Sequence, residues 1–182
     1  MSTKGRIVIK LGGGLITNKN LSKTLDKEAI DRVCEILKIV SDEGYKIIIV
    51  HGAGSYGHIL SKEMDISNGV NYKIYDQQIS AIEQIRKDMR ELNNEIIGSL
   101  KKVNLNSVGY PPSLWAKNLG KNFSGDIEVF KKENNQIIPI CFGDVVDRND
   151  ENEFGILSGD DLMYRLSMEI PEVCFTIFLL GD

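Results

Sequence analysis

The sequence predicts an α/β fold in which a mainly parallel sheet is sandwiched by helices, giving three layers in the order α, β, α. Short apolar runs alternate with longer amphipathic segments along the 182 residues. Strands that helices cover on both faces are continuously apolar, as these runs are. Glycine-rich turns follow several of the runs, which is typical of the carboxyl ends of parallel strands.

The first two strands and the helix between them have clear boundaries. The run Arg6–Leu11, RIVIKL, is rich in β-branched residues and enters the glycine turn 12–14. Asp26 can cap a helix whose apolar residues recur at helical spacing, and Gly44 suits the end of that helix. The run KIIIV at 46–50 is then the second strand.

The longest predicted helix runs from Asp76 to Leu100, where apolar residues recur every three or four positions. After it, SVGY before Pro111 and the run IIPICFGDVV at 137–146 are expected to be strands. A helical pattern at 160–168 and a last strand, VCFTIFLL, at 173–180 complete the order. We expect the long helix and the segment up to Trp115 to form the walls of a ligand pocket.

Composition narrows the classes of protein that remain. The chain has a net charge of −4 without long blocks of like charge, so we expect neither a nucleic-acid nor a membrane partner. The sequence has three widely spaced cysteines that form no CxxC pair: Cys34, Cys141 and Cys174. This pattern favours reduced structural thiols in a cytoplasmic protein. No apolar stretch is long enough to cross a bilayer. We expect a single domain over residues 1–182.

Residues 51–58, HGAGSYGH, contain the pattern GxGxxG directly after a predicted strand. This pattern can bind a dinucleotide, but it is then followed by an acidic residue at the tip of the next strand. Neither Asp65 nor Asp76 follows an apolar strand run, so the dinucleotide interpretation is disfavoured. The phosphate-loop pattern GxxxxGK[ST] is absent from the sequence as well.

Several glycine turns together still indicate a phosphate site. KLGGG, HGAGSYGH and FGDVVDR follow predicted strands, and LSGDD precedes a helix. Ligands gather at the carboxyl ends of strands in such sheets. Lys10 is bounded by IVI and LGG, so it cannot easily lie on a wet face and needs an anion. Lys19 follows the first turn and can add positive charge.

IKLGGGLITNK, VHGAGSYGH, MRELN, PICFGDVV and ILSGDDL, in that order, resemble the amino acid kinase superfamily and, within it, the isopentenyl phosphate kinases. The resemblance implies the amino acid kinase fold, ATP and Mg²⁺ as cofactors, a homodimer, and phosphorylation of isopentenyl phosphate to isopentenyl diphosphate in an alternative mevalonate pathway. The acceptor would be a small phosphate with an apolar tail. A fosfomycin kinase-like enzyme and a non-catalytic phosphate-binding domain of the same fold remain as alternatives.

The kinase interpretation assigns roles to individual residues. Lys10, Lys19 and His58 are the expected catalytic residues, His58 by donating a hydrogen bond to the acceptor's phosphate, whereas His51 is expected to be structural. Asp160 and Asp144 are candidates to orient the lysines or a magnesium-bound water, and no residue is expected to bind a metal directly. Asp160 and Asp161 can equally cap a helix. Expected ATP-binding residues are Lys10, Leu11, Gly12, Gly13, Gly14, Gly54 and Asp182, and expected substrate-binding residues are Ala53, His58 and Gly159.

Two features differ from the family pattern. Gly14 stands where the family usually has serine, so one hydroxyl is missing although the backbone N–H is retained. Members of the family continue beyond FLLGD, through a segment like TDVDGV and a nucleotide-binding region. The resemblance therefore assigns residues 1–182 mostly to the acceptor-binding N-terminal part, with the C-terminal nucleotide-binding part largely absent.

Overall fold

The computed structural model describes residues 4–18, 21–132 and 137–181, and within these ranges the strands form two sheets. The strands are β1 (Arg6–Leu11), β2 (Lys46–His51), β3 (Asn106–Gly109), β4 (Ala116–Lys117), β5 (Ser124–Gly125), β6 (Ile137–Phe142), β7 (Asp144–Asp147), β8 (Phe154–Leu157) and β9 (Val173–Leu179). The larger sheet has five parallel strands in the order β3-β6-β2-β1-β9. The smaller sheet has four short strands in the order β5-β4-β7-β8.

The α-helices of the described residues are α1 (Gly13–Ile16), α2 (Lys27–Asp42), α3 (Gly54–Glu63), α4 (Tyr75–Lys102), α5 (Glu128–Lys131) and α6 (Gly159–Glu169). The predicted ends of α2 are confirmed. The Asp26 carboxylate accepts a hydrogen bond from the N–H of Ala29 at 2.9 Å, and Gly44 has a φ of +91° just after the helix. The predicted long helix is confirmed as α4.

Alternate residues of β1 point into two different cores, which explains why the strand is continuously apolar. Ile7 and Ile9 pack in a core with residues of α2 and α4. Val8 packs on the opposite face of the sheet, in a core that includes Leu162 and Leu166 of α6. The predicted three-layer arrangement, with a mainly parallel sheet between helices, is therefore confirmed.

Two parts of the fold differ from the sequence-based expectation. Residues 54–63 form α3, although the glycine-rich motif HGAGSYGH predicts only a turn. The run 137–146 is not one strand, because it divides at Gly143 into β6 of the larger sheet and β7 of the smaller sheet. The smaller sheet was not predicted, since β4 and β5 have only two residues each.

The cysteines are free thiols and the helices are not of the membrane-spanning kind in the described residues, as the sequence predicts. Cys34 and Cys141 are buried free thiols, and Cys174 is exposed with its Sγ 3.2 Å from the carbonyl oxygen of Arg6. None of the helices in the described ranges combines the length and the apolar character that crossing a membrane would require.

Candidate active site

The glycine turns that follow the parallel strands meet at one edge of the larger sheet. A Cβ atom on Gly13 would lie 2.3 Å from the backbone nitrogen of Gly54, and one on Gly52 would lie 2.7 Å from the nitrogen of Gly13. Side chains cannot fit in such gaps, so backbone packs directly on backbone. Gly54 also has a φ of +49°, a conformation that favours glycine. The turns therefore gather as the sequence analysis predicts.

A cavity of about 260 Å³ opens beside these turns. Its polar lining comes from strand ends and helix N-termini, and its apolar lining comes from α4, β7 and β8. A larger cavity of about 410 Å³ lies near Lys46 and Ile137, where β2 and β6 begin, and contains none of the predicted site residues. Since ligands of parallel sheets bind at the carboxyl ends of the strands, we assign the candidate site to the smaller cavity.

Lys10 extends from the end of β1 to the cavity, and only 13% of its side chain is exposed. Its Nζ lies 2.7 Å from Oδ1 of Asp160, and it also lies 5.8 Å from the centre of the Phe178 ring. The expectation that Lys10 needs an anion is therefore confirmed, with Asp160 as that anion. An ammonium group has three N–H donors, so this pair leaves two for a phosphate.

Two helices begin at the cavity and add positive potential to it. Ala53, which precedes the first residue of α3, and Gly159, the first residue of α6, both line the cavity. The first N–H groups of a helix have no acceptor within the helix, and the helix dipole favours an anion there. This end of the cavity is therefore suited to a phosphate group.

The two aspartates in the first turn of α6, Asp160 and Asp161, have different partners. Ser158 caps the helix by accepting a hydrogen bond from the N–H of Asp161 at 3.1 Å, and its hydroxyl donates to Asp161 Oδ2 at 2.7 Å. Asp160 instead pairs with Lys10, and its own side chain is 69% exposed. Neither carboxylate therefore caps the helix directly, because Asp161 accepts the hydroxyl of the capping residue Ser158 and Asp160 contacts Lys10.

His58 and His51 lie in different environments. His58 is exposed on α3 and lines the cavity, and its side chain makes no hydrogen bond with the part of the chain that the structure describes. His51 is fully buried, stacks on Phe142 with ring centres 4.8 Å apart, and has Nδ1 3.1 Å from the carbonyl oxygen of Gly52. Burial lowers the pKa of His51 to about 4, so its ring is neutral at pH 7.

The GGG turn offers fewer phosphate ligands than the sequence predicts. The N–H of Gly12 donates to the carbonyl oxygen of Leu179 at 2.8 Å, so it is not available to a ligand. Leu11 is 1% exposed, and its carbonyl oxygen accepts the N–H of Gly52 at 2.9 Å. Gly13 and Gly14 open α1 and keep N–H groups without an intrahelical acceptor. Gly13 is the member of the turn that lines the cavity.

Asp144 lines the cavity, but it binds backbone rather than a lysine. It is 2% exposed, and its two oxygens accept the N–H groups of Ser113 and Val145, each at 2.9 Å. Burial raises the pKa of this carboxyl, and the hydrogen bonds from Ser113 oppose that shift. The structure therefore places Asp144 where it anchors residue 113, whereas Asp160 contacts Lys10.

The apolar wall of the cavity includes residues that the sequence analysis did not identify. Ile85 and Met89 come from α4, the helix that was expected to line a pocket. Val145 of β7 and Ile156 of β8 complete the wall, and both belong to the unpredicted smaller sheet. The segment up to Trp115 does not line this cavity among the described residues, so that part of the expectation is wrong. No local pattern marks the short strands β7 and β8 as pocket walls.

Lys19 and Asp182 lie outside the described residues, so the structure does not place them. Within the described ranges, His, Cys, Asp and Glu side chains form no group of three or more that could hold a metal ion.

Comparisons with known proteins agree on one family. The model of the amino acid kinase family matches residues 5–170. Isopentenyl phosphate kinase from Methanocaldococcus jannaschii is 29% identical over 90% of this chain, and that from Thermoplasma acidophilum is 26% identical over 95%. An X-ray structure of isopentenyl phosphate kinase covers 94% of the chain with a TM-score of 0.86 at 25% identity. The chain spans 64% of the length of the M. jannaschii protein.

Proposed function

The chain belongs to the amino acid kinase family. We propose that it is an ATP-dependent kinase that binds isopentenyl phosphate and phosphorylates it to isopentenyl diphosphate. One observation carries the proposal. A single cavity combines Lys10 and two helix N-termini with an apolar wall of α4, β7 and β8. These features match an acceptor with an anionic phosphate and a short apolar tail.

The acceptor's phosphate is its own nucleophile. A phosphate monoester has a second pKa near 6, so it is largely a dianion at neutral pH and needs no general base. One of its oxygens forms a bond to the γ-phosphorus of ATP while the bond from that phosphorus to the β,γ-bridging oxygen breaks, and ADP leaves. The two anions repel each other, so positioning and positive charge are the main requirements.

In this scheme Lys10 neutralises charge on the transferred group, and Asp160 holds its Nζ in place at 2.7 Å. His58 donates a hydrogen bond to the acceptor's phosphate and fixes it in line. The N–H groups at Gly13 and Gly159 complete the phosphate cradle. Lys19 is proposed as a further positive charge on the transferred group, and Gly54 and Asp182 stay predicted nucleotide contacts.

Magnesium would neutralise the phosphates of ATP when it is bound. The ion would be held by phosphate oxygens and water, and no direct protein ligand is proposed for it. Asp160, whose carboxylate is mostly exposed, is the candidate partner for a magnesium-bound water. Its pairing with Lys10 does not use both carboxylate oxygens.

A coupled ADP-release assay and calorimetric titration on the 182-residue chain test the function. We expect binding of isopentenyl phosphate and ADP release that depends on it. Binding without ADP release would favour the second candidate, a phosphate-binding domain without transfer. ADP release with fosfomycin alone would favour the fosfomycin kinase-like alternative. Absence of both binding and turnover would contradict the proposal.

Two further proposals follow from the family and the cysteines. A homodimer is implied by the family, and sedimentation that gives a monomer at micromolar concentration would contradict it. A cytoplasmic location fits the three free thiols.

A further inference from the structure

Ser61 places a hydroxyl group in the wall of the candidate site. This residue of α3 is 7% exposed and lines the cavity, yet its side chain makes no hydrogen bond within the described chain. A serine within a helix often donates to the carbonyl group four residues earlier, here that of Gly57. Ser61 does not make that bond and borders the cavity instead.

The position of Ser61 along α3 separates it from the phosphate end of the cavity. A helix rises about 1.5 Å per residue, so Ser61 lies about 4.5 Å along the axis from His58. Gly57, one turn before Ser61, faces α4, because a Cβ there would lie 3.3 Å from Met89 Sδ and 3.9 Å from Ile85 Cγ2. Residues 57 and 61 share a helix face, so the hydroxyl belongs to the apolar part of the cavity.

A purely hydrocarbon tail would leave this hydroxyl without a partner. Covering an unpaired polar group with apolar surface is unfavourable, because the group loses its hydrogen bonds to water. The other polar side chains of the cavity, among them Lys10, His58 and Asp160, are accounted for by the phosphate or by each other. Ser61 is not, and its chemistry fits a hydroxyl group on the bound molecule.

We infer that the cavity favours a short-chain alkyl monophosphate whose tail carries a hydroxyl, and that Ser61 is the residue that selects it. The inference rests on the proposed function, because it takes the phosphate to lie at Lys10 and His58. Hydrocarbon tails such as isopentenyl are still expected to bind, but more weakly.

Calorimetric titration of the chain tests this inference without requiring ATP. The ligands are 3-hydroxy-3-methylbutyl phosphate, 3-methylbutyl phosphate, which lacks only the hydroxyl, and isopentenyl phosphate. The wild-type chain should bind the hydroxylated phosphate about 5- to 10-fold more tightly than its hydrocarbon counterpart, as expected for one added neutral hydrogen bond. Ser61→Ala should abolish or reverse that preference, and it should tighten binding of both hydrocarbon phosphates.

Two variants control for indirect effects. Ser61→Thr keeps a hydroxyl and should keep the preference. Ser80→Ala removes an exposed hydroxyl from α4, where Ser80 Oγ donates to the carbonyl oxygen of Asp76 at 2.9 Å, and should keep the wild-type ratio. An affinity ratio that is the same in the wild type and in Ser61→Ala would overturn the role of Ser61 and leave the proposed function intact. Failure of all three phosphates to bind the wild type would overturn both.

Discussion

Lys10 Nζ and Asp160 Oδ1 lie 2.7 Å apart, although the two residues are separated by 150 positions in the chain. The lysine side chain is 13% exposed, whereas that of the aspartate is 69% exposed. The ammonium group is therefore embedded beside the cavity, and its counter-charge lies on the solvent side. This pair holds a positive charge in place before any substrate arrives, which is the arrangement that electrostatic catalysis requires.

Lys10→Ala should lower the rate of phosphoryl transfer by about 10²–10³-fold, because it removes a preorganised charge from the transition state. The measurement is ADP release at saturating isopentenyl phosphate, combined with calorimetric binding of the acceptor. Lys117→Ala removes an exposed lysine from β4 and is the matched control. Near-normal turnover in Lys10→Ala would contradict the assigned role.

Substitutions of His58 separate acceptor binding from base catalysis. If His58 only donates a hydrogen bond, His58→Gln should retain more activity than His58→Ala, because glutamine keeps an N–H donor. The alanine variant should lose about 10- to 100-fold in kcat/KM for the acceptor, as expected for a hydrogen bond to a charged group. A general base would behave differently, since both variants would then fall together by about 10²–10⁴-fold in kcat with unchanged acceptor affinity.

The loop before α2 is tied to α4 by an ion pair that should contribute to stability. Lys23 Nζ lies 2.7 Å from Asp88 Oδ1, and Gln84 Nε2 donates to the same oxygen at 2.6 Å. The Asp88 side chain is 3% exposed, so Lys23→Ala leaves a buried carboxylate with less compensation. We expect a loss of about 1–2 kcal/mol in the free energy of unfolding, measured with urea.

An exposed pair provides the comparison for this measurement. Lys38 and Asp42 form an ion pair one turn apart on α2, and Lys38→Ala should cost no more than about 0.5 kcal/mol. Replacing both partners, as Lys23→Ala with Asp88→Asn, should recover part of the loss because no charge is then left buried. Equal effects of the Lys23 and Lys38 substitutions would count against a role for burial.

His51 should make the stability depend on pH. Its folded pKa is about 4 against 6.5 for the ordinary group, so between these values the unfolded chain binds more protons. The free energy of unfolding should therefore fall as the pH is lowered, by about 2 kcal/mol from pH 7 to pH 5. His51→Asn should flatten this slope in urea titrations, whatever its own stability. An unchanged slope in that variant would show that other groups cause the dependence.

The parts of the fold that follow local patterns could be predicted from the sequence. The strand β1 and the helix α4 repeat apolar residues at the spacing of their own geometry, and Asp26 and Gly44 mark the ends of α2. Lys10 could be identified as a residue in need of an anion because its neighbours in β1 are apolar. Its choice of Asp160 over Asp144 could not, because that depends on where α6 begins in space.

The features that escaped prediction depend on long-range contacts. Glycine is a poor helix former, and α3 contains two glycines, so local propensity does not predict this helix. Glycine is nevertheless needed at position 57, because a Cβ atom there would lie only 2.9 Å from the Cβ of Ala53. Val145 and Ile156 line the cavity only because β7 and β8 pair with each other. Strands of four residues carry too little periodicity to reveal such pairing.

The contact of Gly13 with Gly54 has a mechanical consequence. Backbone atoms that touch without intervening side chains have no rotamers through which to yield, so the turns after β1 and β2 should move as one stiff unit. Adjustment to acceptors of different length must then come from the opposite wall. Met89 has three rotatable bonds and a polarizable sulfur, which makes it the part of that wall best able to change shape. Under the proposed function, the phosphate would bind at a fixed position and the pocket for the tail would change shape to fit the ligand.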